Sequence, residues 1–274
     1  MVKMGTVWDR TTEFLGNHLG QVLPIALAGI FVPATIWQTL EPLQMHAEPS
    51  LGAALVVIRI AQILVTVWAQ VAITALAIEI VSGQTAARIA LRRLPAVIGV
   101  GLVLLVALLL LLAPLFAILW ASGVNLPGAE APAGAMSPGG LAAAVLYGIL
   151  LVPVLLILGA RVILTTPVLV AERAGIRAIT RSWALTRGLT AGIIGVVLLY
   201  IVVSLVAQIA AKSAFGAVLL LLLGGDGTIN VAHVLTAIAV GIVATVFSVI
   251  QAAFVAKLYV ATASGPARGA TVPA

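Results

Sequence analysis

The residues able to do chemistry are few and poorly placed for catalysis. Three histidines, His18, His46 and His233, lie in different segments, and no His-Glu-x-x-His pattern links any of them to a metal. No Gly-x-Ser-x-Gly elbow and no phosphate loop occurs. Asp9 and Glu13 stand four apart on the polar face of one amphipathic stretch, where water solvates both. The sequence Gly-Gly-Asp-Gly around Asp226 is a turn signal. Cysteine is absent, which removes a thiol nucleophile, a thiolate metal site and any disulfide. These absences predict a protein that is not an enzyme and needs no cofactor or metal.

What remains is a set of charges embedded in apolar runs: Arg59, Glu79, Arg161 and Lys257. An ionisable group at the middle of a membrane helix costs about 2.5–3.5 kcal/mol on insertion scales, so each requires a reason. Glu79 and Lys257 fall near the ends of their runs, where a long side chain can reach the interface, and Arg59 is about two turns from an end. Arg161 lies deepest. If its helix continues to residue 171, it sits roughly 15 Å below the helix end. Its partner is then a lipid phosphate or a polar group on another helix, with Gln70, Gln208 and Gln251 as candidates. Gln70, Arg161, Gln251 and Lys257 are expected to form an intramembrane polar cluster. It acts either as hydrogen-bonded glue between helices or as a pocket for an anion or lipid headgroup.

A second concentration of charge is "ERAGIRAITRSWALTRG", Glu172 to Gly188. At 100° per residue, Ile176, Ile179 and Trp183 form one stripe and Arg173, Arg177 and Arg181 another beside it. Trp183 suits the headgroup layer, and the arginines, with Arg187, suit anionic phosphates. The stretch therefore reads as a helix lying in the membrane interface.

The elements that must position these groups follow from composition. Of 274 residues, 63% are hydrophobic and only 8% charged, with mean hydropathy +1.27; a soluble chain carries about 25% charged residues. The chain is an all-α, polytopic integral membrane protein. Six segments meet the length of about 20 apolar residues needed for a span, near 19–40, 54–82, 95–121, 141–171, 189–211 and 230–263. A shorter run, 215–225, has half that length and reads as re-entrant or interfacial. Residues 1–264 form one membrane domain, with 265–274 a short disordered tail.

Ten of the fourteen basic residues fall on one side of this arrangement and one, Lys212, on the other. The positive-inside rule puts the basic side and both termini in the cytoplasm. The net charge of +6 thus reflects topology, and no interleaving of basic and aromatic residues suggests nucleic acid. Two further amphipathic stretches, "TVWDRTTEFLGNHLG" and "QTAARIALRRL", run directly into odd-numbered spans, as the 172–188 stretch does. Three cytoplasmic interfacial helices and a triplicated unit (interfacial helix, span out, span back) are expected. On that alignment Ala160–Arg161 lies over Ala256–Lys257 and close to Ala69–Gln70.

The stretch "GARVILTTPVLVAERAGIRAITRSWALTRG" resembles the membrane domain of the glycerophosphoryl diester phosphodiesterase membrane-domain family and related six-span bacterial proteins. Ala160, Arg161, Pro167, Glu172, Ser182, Trp183, Leu185, Thr186, Arg187 and Gly188 carry the resemblance. The opening "TVWDRTTEFLGNHLGQVLPIAL" is similar to that family's first helix and span. The ending "AKLYVATASG" lacks the Tyr-x-x-x-Arg that family carries there. The resemblance implies a fold and a bacterial inner-membrane location and carries no catalytic residue, since the sequence holds no phosphodiesterase barrel. The expected role is a non-catalytic module that binds anionic lipid or organises a partner protein or a second copy. The alternative is a small-solute or lipid transporter, with a polar cavity between the returning helices.

Overall fold

Long apolar runs in lipid have no water to serve their amides, so each must close its own hydrogen bonds, and a helix does this within one segment. The computed structural model describes residues 3–46, 48–78, 83–125, 137–224 and 230–264. Every regular element among them is helical. In chain order these are α1 (Met4–Ala26), α2 (Val32–Leu40), α3 (Pro49–Ala77), α4 (Gly83–Ala121), α5 (Pro138–Val162), α6 (Thr165–Glu172), α7 (Arg177–Leu185), α8 (Thr190–Ile209), α9 (Gly216–Leu223) and α10 (Val231–Ala263). Among the described residues six helical stretches are long and apolar enough to cross a membrane: Met4–Gln44, Ser50–Ala77, Thr85–Ala121, Pro138–Glu172, Thr190–Leu223 and Val231–Ala263. Glu79, Asp226 and the expected tail at 265–274 lie outside the described residues.

Breakers in the sequence account for the irregularities. Between α1 and α2 the helix widens into a π turn, Leu27–Phe31, in which the Val32 amide bonds back to the Leu27 carbonyl. Pro33 has no amide to donate and its ring would press on the carbonyl four residues back, a conflict that one extra residue in the turn relieves. Gly29 lies in this turn against α3, where a Cβ would collide with the Cβ of Ala69. The run at 215–225 departs from expectation. It neither folds back nor lies apart: α8 continues through a second π turn, Ala210–Phe215, into α9. Gly216 keeps helical angles (φ −62°, ψ −41°), and the first residue to stop the helix is Gly224, at φ +63°.

The three stretches expected as interfacial helices take three different forms. The first is the start of α1, set off by non-helical angles at His18 (φ −118°, ψ 15°). The second runs unbroken into α4. Only the third, α7, is a separate helix.

Buried residues gather at one end of the bundle. They come from the last turns of α3 (Ala69, Ala72, Ile73), from Leu164 and the α6 that follows it (Val168, Leu169), and from the end of α10 (Ala253, Ala256, Leu258). The starts of α1, α4 and α7 close over them with Val7, Thr11, Ala86, Ala90, Ala178 and Ser182. Many of these residues are small, which lets the backbones approach closely. The same end carries the arginines of α4 and α7. Toward the opposite end, leucines and valines of α4, α5 and α8 face outward. The most apolar window, within Thr85–Ala121, has none of its residues buried. That inversion suits a hydrocarbon solvent, where an exposed leucine costs nothing.

Candidate functional site

The site at the arginine-rich end depends on a break in the fourth span. Pro167 cannot donate a backbone hydrogen bond, so it fits best in the first turn of a helix, where its missing amide would have no partner anyway. Accordingly α5 ends at Val162, Leu164 leaves helical geometry (ψ 2°), and α6 restarts at Thr165. The break leaves carbonyls near the end of α5 without helical partners. One of them, on Arg161, accepts a hydrogen bond of 2.7 Å from the Ser182 hydroxyl. Ser182 and Ala178 are fully buried, and this small face is how α7 docks on the bundle.

Docking by its small face turns the rest of α7 outward. Trp183 is 37% exposed and Ile176, just before the helix, 63%. Arg173, Arg177, Arg181 and Arg187 are exposed around them. Of the three residues expected to form the apolar stripe, Ile179 packs against the buried cluster, whereas Ile176 and Trp183 face outward.

Arg161 finds its partner on α7. Its guanidinium lies 5.5 Å from the centre of the Trp183 ring, and Nη1 donates to the Trp183 carbonyl at 3.4 Å. Its Nε is buried with no hydrogen-bond partner among the described residues. None of the glutamines considered from sequence holds it. Glu172, at the end of α6, accepts from Arg181 Nε through both carboxylate oxygens (3.3 and 3.2 Å) and from the Tyr259 hydroxyl at 2.9 Å. This carboxylate joins α6, α7 and α10. After it the chain reverses through Arg173, a non-glycine residue in the left-handed region (φ 54°).

The other candidates have different neighbours. Lys257 is only 6% exposed, and its ammonium lies 5.0 Å from the centre of the Phe14 ring, which stacks in turn on His18. It lines a cavity of about 280 Å³ with Arg10, Glu13, Phe14, Asn17 and His18. Gln251 accepts from the Tyr200 hydroxyl at 3.2 Å, joining α10 to α8. Gln70 is half-buried beside Ala69 on α3, and its carbonyl accepts from Thr74. Gln208 lies toward the other end of the molecule, in a cavity with Arg59.

Three participants escaped the sequence reading: Tyr259, Phe14 as the platform for Lys257, and the docking role of Ser182. Tyr259 is one aromatic in a continuous apolar helix and gives no local signal. Ser182 could have been found, because a hydroxyl seven residues after Gly175 interrupts an otherwise basic-aromatic helix on its inward face. Among the described residues no group of three or more histidines or carboxylates comes together to hold a metal. The arrangement is suited to holding an anion at an apolar surface. Comparison with family models, with curated proteins and with solved structures gave no match.

Proposed function

We propose that this chain is a non-catalytic, lipid-interacting module of the bacterial inner membrane that grips anionic phospholipid headgroups with its arginine-rich end. The observation that carries this reading is the orientation of α7. A helix in water would bury Ile176 and Trp183 and expose Ser182 and Ala178; α7 does the reverse. Outward apolar side chains between outward arginines fit a surface that is apolar on one side and anionic on the other. Arginine's planar fork suits phosphate, and Arg173, Arg177, Arg181 and Arg187 are all exposed around Trp183.

By the positive-inside rule this end and both termini face the cytoplasm. The triplicated plan gains support from the aligned positions. Ala69, Ala160 and Ala256 are all buried, and each precedes a polar residue on a returning helix. Arg161 lies over Trp183 of the third interfacial stretch and Lys257 over Phe14 of the first. Trp68, close to Gln70, donates its indole N–H to the Ala87 carbonyl of the second. Each returning helix thus meets the interfacial stretch of the next unit, and the third closes onto the first. The resemblance to the phosphodiesterase membrane domain fits the same plan.

The transport reading has less support, since Arg161, Gln251 and Lys257 meet different neighbours rather than one shared cavity. Replacing Arg161 with Leu should leave insertion intact and lower the anionic phospholipid that co-purifies with the full chain. Unchanged lipid content would reduce Arg161 to an interhelical contact. Reporters fused after Ala90 and after Ser182 should both be cytoplasmic; a split result would remove the topology and the threefold plan together.

A further inference from the structure

The opposite end of the bundle holds a second polar cavity, of about 390 Å³, that the proposal above does not use. It opens between the first two spans and the fifth, with Val240 of α10 among its walls. Its polar lining comes from Gln38 and Glu41 at the end of α2, Arg59 on α3, and Gln208 and Lys212 at the end of α8. The flanking surfaces are lipid-like: Val56, Ile60, Ile63, Leu205, Val206 and Ile209 all face outward.

Two cations meet one carboxylate here. Arg59 lies about 15 Å along α3 from its first residue, and Lys212 about 17 Å short of the end of α9. Neither is at a helix tip, so both need an anionic partner within reach. The Lys212 ammonium is 4.0 Å from Glu41, with side chains 68% and 50% exposed, a contact at the limit of an ion pair that holds neither group firmly. Arg59 is better ordered. Its guanidinium packs 4.6 Å from the centre of the Trp37 ring, and Trp37 is buried. Among the described residues Gln62 alone accepts from it, at 2.7 Å. Stacking fixes the guanidinium plane and leaves its edge for a planar or tetrahedral oxyanion.

The backbone is also unusual at this point. Lys212 and Ser213 belong to the π turn Ala210–Phe215, and no proline there explains the turn. Single π turns inside α-helices recur at functional sites because one extra residue re-aims the side chains around it. Here it carries Lys212 to the rim of the cavity. Gln38 is held from behind, its carbonyl 3.2 Å from His233 Nε2.

We infer that this cavity binds the phosphate of a phospholipid, with Arg59 and Lys212 as its two cationic contacts and the acyl chains lying along the exposed faces of α3 and α8. The volume falls within the range of small-ligand sites, about 300–1,000 Å³. The opening toward lipid-facing helices supplies a route that does not cross water. Phosphate is the shared chemistry of a lipid headgroup and of free inorganic phosphate, and the cationic pair alone would accept either.

The test measures phospholipid retained per chain by mass spectrometry after purification of the full protein from membranes rich in phosphatidylglycerol. Lys212→Gln, at an exposed position, should lower occupancy of one lipid by about tenfold, the scale of one lost charge-assisted contact, and the double variant Arg59→Gln/Lys212→Gln by about a hundredfold. Glu41→Gln should raise it, because a competing carboxylate is removed. Loss from Arg161→Leu should add to that from Lys212→Gln, since the two sites lie at opposite ends; failure of either leaves the other intact. Calorimetry of lipid-depleted protein with inorganic phosphate separates the sources. Heat that Lys212→Gln abolishes, with unchanged lipid retention, would overturn the lipid assignment in favour of a soluble anion. Unchanged retention in folded Lys212→Gln, with no effect of Glu41→Gln and no heat, would overturn the site altogether.

Discussion

The two ends of this bundle put apolar helix to opposite purposes. At the arginine-rich end α10 is buried on nearly every side from Ala252 to Tyr259, and α3 and α6 meet it with alanine, isoleucine and leucine. Farther along, α4, α5 and α8 present leucine and valine to the outside. Both regions are apolar helix, the buried end richer in alanine and the outward faces in leucine and valine. What also differs is the neighbour: other helices at one end, lipid along the rest. The charges follow, because arginines need a polar layer to face, and one end supplies it through α7 and the start of α4.

That contrast can be broken by matched substitutions. Leu164 is 0% exposed, so Leu164→Ala opens a cavity in the shared core and should lower unfolding stability by about 3 kcal/mol, in a denaturant titration of the detergent-solubilised protein. Gly29→Val drives a side chain into Ala69 and should cost about 2 kcal/mol, provided the π turn cannot shift. Tyr259→Phe removes a hydrogen bond to Glu172 without opening space and should cost about 1 kcal/mol. Leu110, 70% exposed, sits in the lipid-facing half, and Leu110→Ala should change stability by less than about 0.5 kcal/mol. A loss at Leu110 matching that at Leu164 would mean that the outer half buries its leucines against something else, and the comparison would fail.

Much of the scaffold was legible before any coordinates. Spans are written as long apolar runs, because the solvent enforces them, and six helices of that kind are present among the described residues. The breaks were harder. Pro167 was visible, yet Pro95 and Pro114 lie inside α4 without ending it, so proline alone does not mark where a span divides. Periodicity found the two faces of α7 but could not say which one docks, since Ile176 and Trp183 satisfy an apolar stripe whether they meet protein or lipid. The partner of Arg161 was missed for a related reason. A continuous fourth span would leave Arg161 facing across the bundle, whereas the break at Leu164 brings α7 within its reach. Arg59 and Lys212, 153 positions apart, share a cavity that no local pattern announces.

The contact between Lys257 and Phe14 bears on how the protein is made. Phe14 on α1 and Lys257 on α10 lie far apart in the sequence, so this contact waits for the chain between them, whereas the packing of α1 on α3 can form earlier. Pairings so distant along the chain form late, because the loop between them must close first. During insertion the helices made before α10 would therefore stand as an open arc, and α10 would act as the keystone that closes over Phe14.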